Sequence, residues 1–268
     1  MIVAASFDVN EPENWNNRAL QYGDGVFETM RCMGGELPLW SLHKRRLKQG
    51  LQRLNLKQPD LNAIYSLIRQ QCISRSYSDC VVKLVVFRTF QGRSYQAKIN
   101  DVEWYVTTNK WEQQTKKLHY VLAVAKARLS KQPALAGIKH LNRLEQVLIA
   151  NELNQLPGVD DLLVLDQANR IVETTHQNIV LIKGSQLFTP KLKHCGVKGV
   201  ALKWLKNNFD VNVKAIDFTQ VSDFDALMVG NSIRGFRLVA EVIAVDSFVT
   251  SHPVHDKITR LWGQMFNQ

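Results

Sequence analysis

Gly137-Ile138-Lys139-His140-Leu141-Asn142-Arg143-Leu144-Glu145-Gln146-Val147 is the stretch on which the reading of this chain turns. Leu141, Leu144 and Leu148 fall at i, i+3 and i+7, a spacing that predicts an amphipathic helix with Lys139 at its mouth. A cation is poorly placed there, because the positive end of a helix dipole repels it. The same field favours a neutral amine, and a neutral lysine amine is the nucleophile that Schiff-base chemistry needs. A single lysine is ordinarily a solvated surface charge. The case for this one rests on the rest of the chain.

Upstream, residues 1–16 read as one short edge strand and a loop. Tyr22-Gly23-Asp24-Gly25-Val26-Phe27-Glu28 then places a glycine turn before a strand over residues 26–31. Gly34-Gly35 predicts a hairpin returning through residues 37–39, and Ser41 is positioned to cap a helix with Leu47, Leu51 and Leu54 on one stripe. His43 and Arg46 lie one turn apart on that helix. Asp60 caps a second helix, with Leu61, Ile64, Ile68 and Cys72 facing inward. Residues 81–87 form an almost continuous apolar run, hence a strand buried on both faces, ending at Arg88 and the loop Gln91-Gly92-Arg93-Ser94-Tyr95. A further strand over residues 102–107 leads into a polar connector, where the domain boundary is expected.

The second half predicts a strand over residues 118–125, then hairpins pairing 162–165 with 171–175 and 178–182 with 186–189. Glu173 sits among apolar strand residues, which is costly without a partner. Gly196-Val197-Lys198-Gly199 precedes a helix carrying Val200, Trp204 and Leu205, and backbone N–H groups at such a start can receive a phosphate. A short strand over residues 226–229 ends in Gly230-Asn231-Ser232. A strand over 238–245 and a helix with Val254, Ile258, Leu261 and Met265 on one face complete the chain.

The run from Arg128 to Glu152 resembles the catalytic-lysine segment of aminodeoxychorismate lyases, the pyridoxal-phosphate enzymes that make 4-aminobenzoate for folate. Tyr22-Gly23-Asp24-Gly25-Val26-Phe27-Glu28 resembles the N-terminal signature of the branched-chain and D-amino-acid aminotransferase superfamily, fold type IV. The resemblance implies an α+β, two-domain fold. Residues 1–112 would form a small N-terminal α/β domain, and 113–268 a larger pyridoxal-phosphate-binding domain with a mixed, barrel-like sheet. It implies that Lys139 carries the cofactor covalently and then acts as general base, so that enolpyruvate is eliminated from 4-amino-4-deoxychorismate. Arg46 in H-x-x-R-L would grip the cofactor phosphate as a charged fork, together with Val197, Lys198, Asn231 and Ser232. Glu173 would keep the pyridine nitrogen protonated. Arg93, Arg88 and Asn142 would meet the substrate and its two carboxylates. Gln91 and Ser94 replace glycines of the family loop, and Lys198 replaces a small or polar residue. The alternative reading is a D-amino-acid or branched-chain aminotransferase. The former places a tyrosine where Phe27 stands and lacks His140-Leu141-Asn142-Arg143-Leu144-Glu145-Gln146 after its lysine. The resemblance also implies a homodimer.

Bulk properties agree with a globular enzyme. The chain has 268 residues, of which 45% are hydrophobic and 22% charged, and no apolar run suits a membrane span. The first residues lack the basic flank and apolar core of a signal peptide. Cys32, Cys72, Cys80 and Cys195 contain no CxxC pair, so reduced buried thiols of a cytoplasmic protein are expected, with no metal site. A net charge of +10 raises a remote alternative, a non-catalytic basic protein that binds nucleic acid. Against it, the basic residues are spread along the chain, and the densest cluster, His43-Lys44-Arg45-Arg46, lies inside a helical pattern. Neither nucleic acid nor membrane is expected as a partner; an anionic small substrate profits from the same field.

Overall fold

In the first of two compact units, Met1–Glu112 with Ile138–Asn142, the chain runs β1 (Ile2–Ala5), α1 (Arg18–Tyr22), β2 (Gly25–Cys32), α2 (Trp40–Arg53), α3 (Leu61–Ile73), β3 (Cys80–Arg88) and β4 (Val102–Lys110). The structure, a computed structural model, describes residues 1–74, 79–90, 92, 94–112, 117 and 119–266. The four strands form an antiparallel sheet in the order β1-β4-β3-β2. Alternation along β2 buries Val26, Glu28, Met30 and Cys32. Against that face α2 turns His43, Arg46, Leu47, Gly50 and Leu51, a helical stripe. Gly50 permits the close approach, since a Cβ there would stand 2.8 Å from Val26 Cγ1. Leu47 and Leu51 are fully buried in this core, each worth about 1.5–3 kcal/mol relative to exposure.

Asp60 caps α3 by accepting from Asn62 and Ala63 N–H. Ser41 caps nothing: α2 begins a residue earlier, at Trp40, behind Leu39, with no side-chain cap. Nor do residues 37–39 form a strand, because Met33 and Glu36 close the glycine turn in an isolated bridge and the chain enters α2 directly.

The second unit, Gln113–Gly137 with Arg143–Gln268, contains β5 (Tyr120–Val124), α4 (Leu144–Asn151), β6 (Asp161–Leu165), β7 (Ile171–Thr174), β8 (Asn178–Lys183), β9 (Gln186–Pro190), α5 (Val200–Asn208), β10 (Val211–Lys214), β11 (Ala226–Asn231), β12 (Gly235–Val242), β13 (Asp246–Ser247) and α6 (Pro253–Gln264). Its mixed sheet has the order β10-β9-β8-β11-β12-β5-β6-β7, and β7 also pairs with β8. That last pairing closes β8, β11, β12, β5, β6 and β7 into a six-stranded barrel, which leaves those strands no open edge. The closing register sets Glu173 opposite Asn178. On α6 the buried positions are Ile258 and Trp262 rather than the whole stripe expected from the sequence. Trp262 stacks edge-on against Trp204 and Phe236.

The predicted helix at Lys139 is displaced. Residues 138–142 are non-helical, with His140 bridged to Val26, and α4 starts only at Leu144, behind an Arg143 that makes no side-chain cap. Leu144 and Leu148 are 70% and 58% exposed, so the leucine spacing marks an outward face.

Candidate active site

Strand pairing, not a helix dipole, presents Lys139. Phe27 N–H donates to Lys139 O at 2.9 Å and Leu141 N–H to Gly25 O at 3.0 Å, so the lysine segment lies along the outer edge of β2. Gly25 has room only for hydrogen, as a Cβ would meet Val86 O at 2.6 Å and Leu141 Cδ1 at 2.9 Å. The Lys139 Nζ sits 4.3 Å from the Phe27 ring centroid. Lys83 Nζ stands 5.0 Å from the same centroid. Lys83, the one charged residue inside the apolar run of β3, is exposed amid buried neighbours.

On the opposite face of β2, Glu28 is 1% exposed. Its carboxylate accepts from Arg46 Nε at 2.8 Å, from Arg46 Nη2 at 2.5 Å and from His43 Nδ1–H at 2.6 Å. Burial would raise the Glu28 carboxyl, but Arg46 and then His43 outweigh it and hold the pKa at about 2. Burial pushes His43 the other way, towards the neutral form, against the pull of Glu28. A neutral His43 donates through Nδ1 to the carboxylate, and its buried Nε2 has no hydrogen-bond partner among the described residues. Arg46 is thus held on Glu28 through two adjacent N–H donors along one edge of its guanidinium.

In the second unit Glu173, 5% exposed on β7, accepts from Val197 N–H at 2.8 Å. Asn178 Nδ2 donates to Val197 O at 2.8 Å. The loop is also strapped to Gly137, whose N–H donates to Gly196 O at 2.8 Å and whose carbonyl accepts from Lys198 N–H at 3.1 Å. Gly199 precedes α5 because a Cβ there would fall 1.8 Å from Asn178 Oδ1. Buried Asp161 orders the turn after β7, accepting from Thr175 Oγ1 at 2.5 Å and Gln177 Nε2 at 3.2 Å. Asn178 and Asp161 are positioning residues that the sequence did not single out.

Several expected contacts fall elsewhere. The N–H groups of Val197 and Lys198 go to Glu173 and Gly137, and the N–H groups open to an anion here belong to the first turn of α5, which has no side-chain cap. Asn231 Oδ1 accepts from Ile233 and Arg234 N–H and so builds its own turn, while Ser232 is buried beside it. Arg88 is a framework residue: it donates to Asp24 Oδ2 at 2.9 Å, Leu54 O at 2.8 Å, Ile99 O at 3.0 Å and Asn100 Oδ1 at 2.9 Å. So committed, it is not a carboxylate clamp. Asn142 donates to Gly23 O at 3.1 Å, tying the lysine segment to the glycine turn. Arg93 lies outside the described residues.

The profile of the family described as Amino-transferase class IV matches residues 25–242. An aminodeoxychorismate lyase from Vibrio harveyi is 29% identical over 264 residues, covering 93% of this chain and 94% of that protein. The crystal structure of a 4-amino-4-deoxychorismate lyase from Pseudomonas aeruginosa superposes with a TM-score of 0.85 at 28% identity, covering 97% and 96% of the two chains. A branched-chain aminotransferase from Thermoproteus uzoniensis shares the fold at a TM-score of 0.84 and 17% identity, covering 100% of this chain and 95% of that one.

Proposed function

The chain belongs to the class IV aminotransferase family, and within it we propose that the protein is an aminodeoxychorismate lyase, converting 4-amino-4-deoxychorismate to 4-aminobenzoate and pyruvate. Enzymes of this family use pyridoxal phosphate, and the residues here fit that group. Glu173 is a buried carboxylate suited to a protonated ring nitrogen, α5 starts without a side-chain cap, and Lys139 offers a half-buried amine. When bound, the cofactor supplies an electron-withdrawing ring that stabilises negative charge at the carbon bearing the substrate amine.

Lys139 anchors the cofactor through Nζ and, once displaced by the substrate amine, becomes a positioned general base. It removes the proton from the amine-bearing carbon and returns it to the departing enolpyruvate. Aromatisation of the ring left behind makes the elimination effectively irreversible. Glu173 is held for the ring nitrogen by Val197 N–H. Glu28 aims Arg46 for the phosphate, and the start of α5, with Ser232, supplies further donors. Lys83 and Arg93 receive the substrate carboxylates.

The observation that favours the lyase over a D-amino-acid aminotransferase is the Phe27 ring 4.3 Å from Lys139 Nζ, where the latter places a tyrosine. Two lyases near 30% identity over almost the whole chain support the same reading.

We further propose a cytoplasmic homodimer. No helix among the described residues is long and apolar enough to cross a membrane. The outward Leu144, Val147 and Leu148 of α4 offer an apolar face for a second copy.

The test begins with the visible spectrum of the purified protein before and after borohydride, with the reduced adduct mapped by peptide mass. An absorption band bleached by borohydride, with the adduct on Lys139, is expected, and Lys139→Ala abolishes turnover while keeping its circular dichroism. Pyruvate release from aminodeoxychorismate, compared with amino transfer to keto acids, then separates the two activities. Rapid amino transfer without pyruvate would overturn the lyase assignment.

A further inference from the structure

The sequence scatters its cysteines, but the fold gathers three of them. Cys32 and Cys80 are register partners at one end of the β2–β3 ladder. Cys72, in the last turn of α3, brings its Sγ to 3.5 Å from that of Cys80. All three sulfurs lie within 4.8 Å of one another, and all three residues are fully buried in a core that includes Ile68, Val82 and Leu84. Packing alone asks for no such convergence, since a thiol in an apolar core serves as a small hydrophobe wherever it lies.

We propose that Cys32, Cys72 and Cys80 form a tridentate site for a trivalent thiophilic metalloid, with arsenous acid as the probe of that class. Geometry and charge select the ligand. A linear two-coordinate ion with bonds near the ~2.3 Å of a zinc–thiolate bond needs sulfurs about 4.6 Å apart, so it cannot bridge Cys72 and Cys80 at 3.5 Å and in any pairing leaves one of the three thiols unused. Zinc takes four ligands in a closed site, and no fourth His, Cys, Asp or Glu joins this cluster among the described residues. A monovalent ion on three thiolates leaves two negative charges in an apolar core, which desolvation opposes. A pyramidal trivalent centre with bonds of about 2.3 Å spaces its sulfurs at up to about 4 Å and leaves the site neutral.

The Cys32 thiol of the free protein is protonated, since hydrogen bonds with Cys72 and Cys80, and then burial, push it up. Binding needs no oxidant. Three As–S bonds form, three As–O bonds break, and each thiol proton leaves in one of three waters. The metalloid enters during local opening of the core, so uptake is slow and quickens on warming. Cys32 lies five residues along β2 from Phe27, roughly 17 Å at the rise of an antiparallel strand, so the bound metalloid does not touch Lys139.

The holoenzyme, reduced with a phosphine, is incubated with arsenite, desalted, and measured by elemental analysis and intact mass. One arsenic per chain is expected, with a mass gain of one arsenic less three protons and an unchanged cofactor spectrum. Retention persists in Cys195→Ala and falls at least tenfold in Cys32→Ala and Cys80→Ala. Arsenic absent from the native chain, retention that follows Cys195, or a mass gain showing fewer than three protons lost would each overturn the site. The proton count is read on the native protein and does not depend on the variants folding.

Discussion

Replacing Glu28 with Gln removes one charge and almost no volume from the most buried ionic cluster near the lysine. The carboxylate is 1% exposed and bonded to Arg46 and His43. Burial raises its pKa, Arg46 and His43 lower it, and the balance takes it from the usual 4.5 to about 2. That difference, 4.5 − 2, is about 2.5 units, and at 1.36 kcal/mol per unit it is roughly 3 kcal/mol of folding stability carried by the ionised form. An independent route agrees, since removing one partner of a buried pair and stranding the other costs about 3–5 kcal/mol.

The pH dependence has a definite sign. The folded carboxyl titrates below its unfolded value, so its contribution is complete above about pH 4.5 and is lost as the pH falls towards about 2. Urea unfolding of wild type and Glu28→Gln, followed by circular dichroism from neutral pH down to about 3, measures both quantities. The variant is expected to be about 3 kcal/mol less stable at neutral pH, with the gap narrowing below 4.5. Adding Arg46→Met should recover part of the loss, because the stranded cation goes with it. Two curves that run parallel across the whole pH range would refute the assignment of this stability to the Glu28 charge.

Three further outcomes test the chemistry. Glu173→Gln keeps the bond from Val197 N–H but loses the charge, and should lower kcat on the order of 10²-fold while borohydride still traps the cofactor on Lys139. Lys83→Met should raise KM roughly 10-fold or more, the worth of one charge-assisted hydrogen bond, with a smaller change in kcat; an unchanged KM would remove Lys83 from the substrate contacts. Gly199→Ala sets a Cβ 1.8 Å from Asn178 Oδ1 and should weaken cofactor affinity, read by dialysis and titration of the absorption band; wild-type affinity would show that the loop before α5 does not bear on it.

What the sequence disclosed and what it withheld divide along the range of the interactions concerned. Asp60 could be read as a cap because its acceptors are the N–H groups of the next residues. The hairpin that carries Glu173 could be read because its turn signals and alternation are local, and its closing partner Asn178 is five positions on. The lysine segment misled for the converse reason. Its leucines match a helical template, yet Gly137 at φ 85° and pairing with a strand more than a hundred residues upstream keep it out of a helix. Lys139 is therefore aimed by β2. Arg88 misled in the same way. An arginine at a strand end looks available until the carbonyls of Leu54, Asn55 and Ile99 are folded around it, and a carbonyl leaves no mark in a sequence. The Cys32, Cys72 and Cys80 cluster needs an antiparallel register and a helix packed across it before it exists at all. Motif resemblance suggested the roles proposed for Lys139, Arg46 and Glu173, while the contacts around them, namely Glu28 on Arg46, Val197 on Glu173 and Phe27 beside Lys139, are products of the fold.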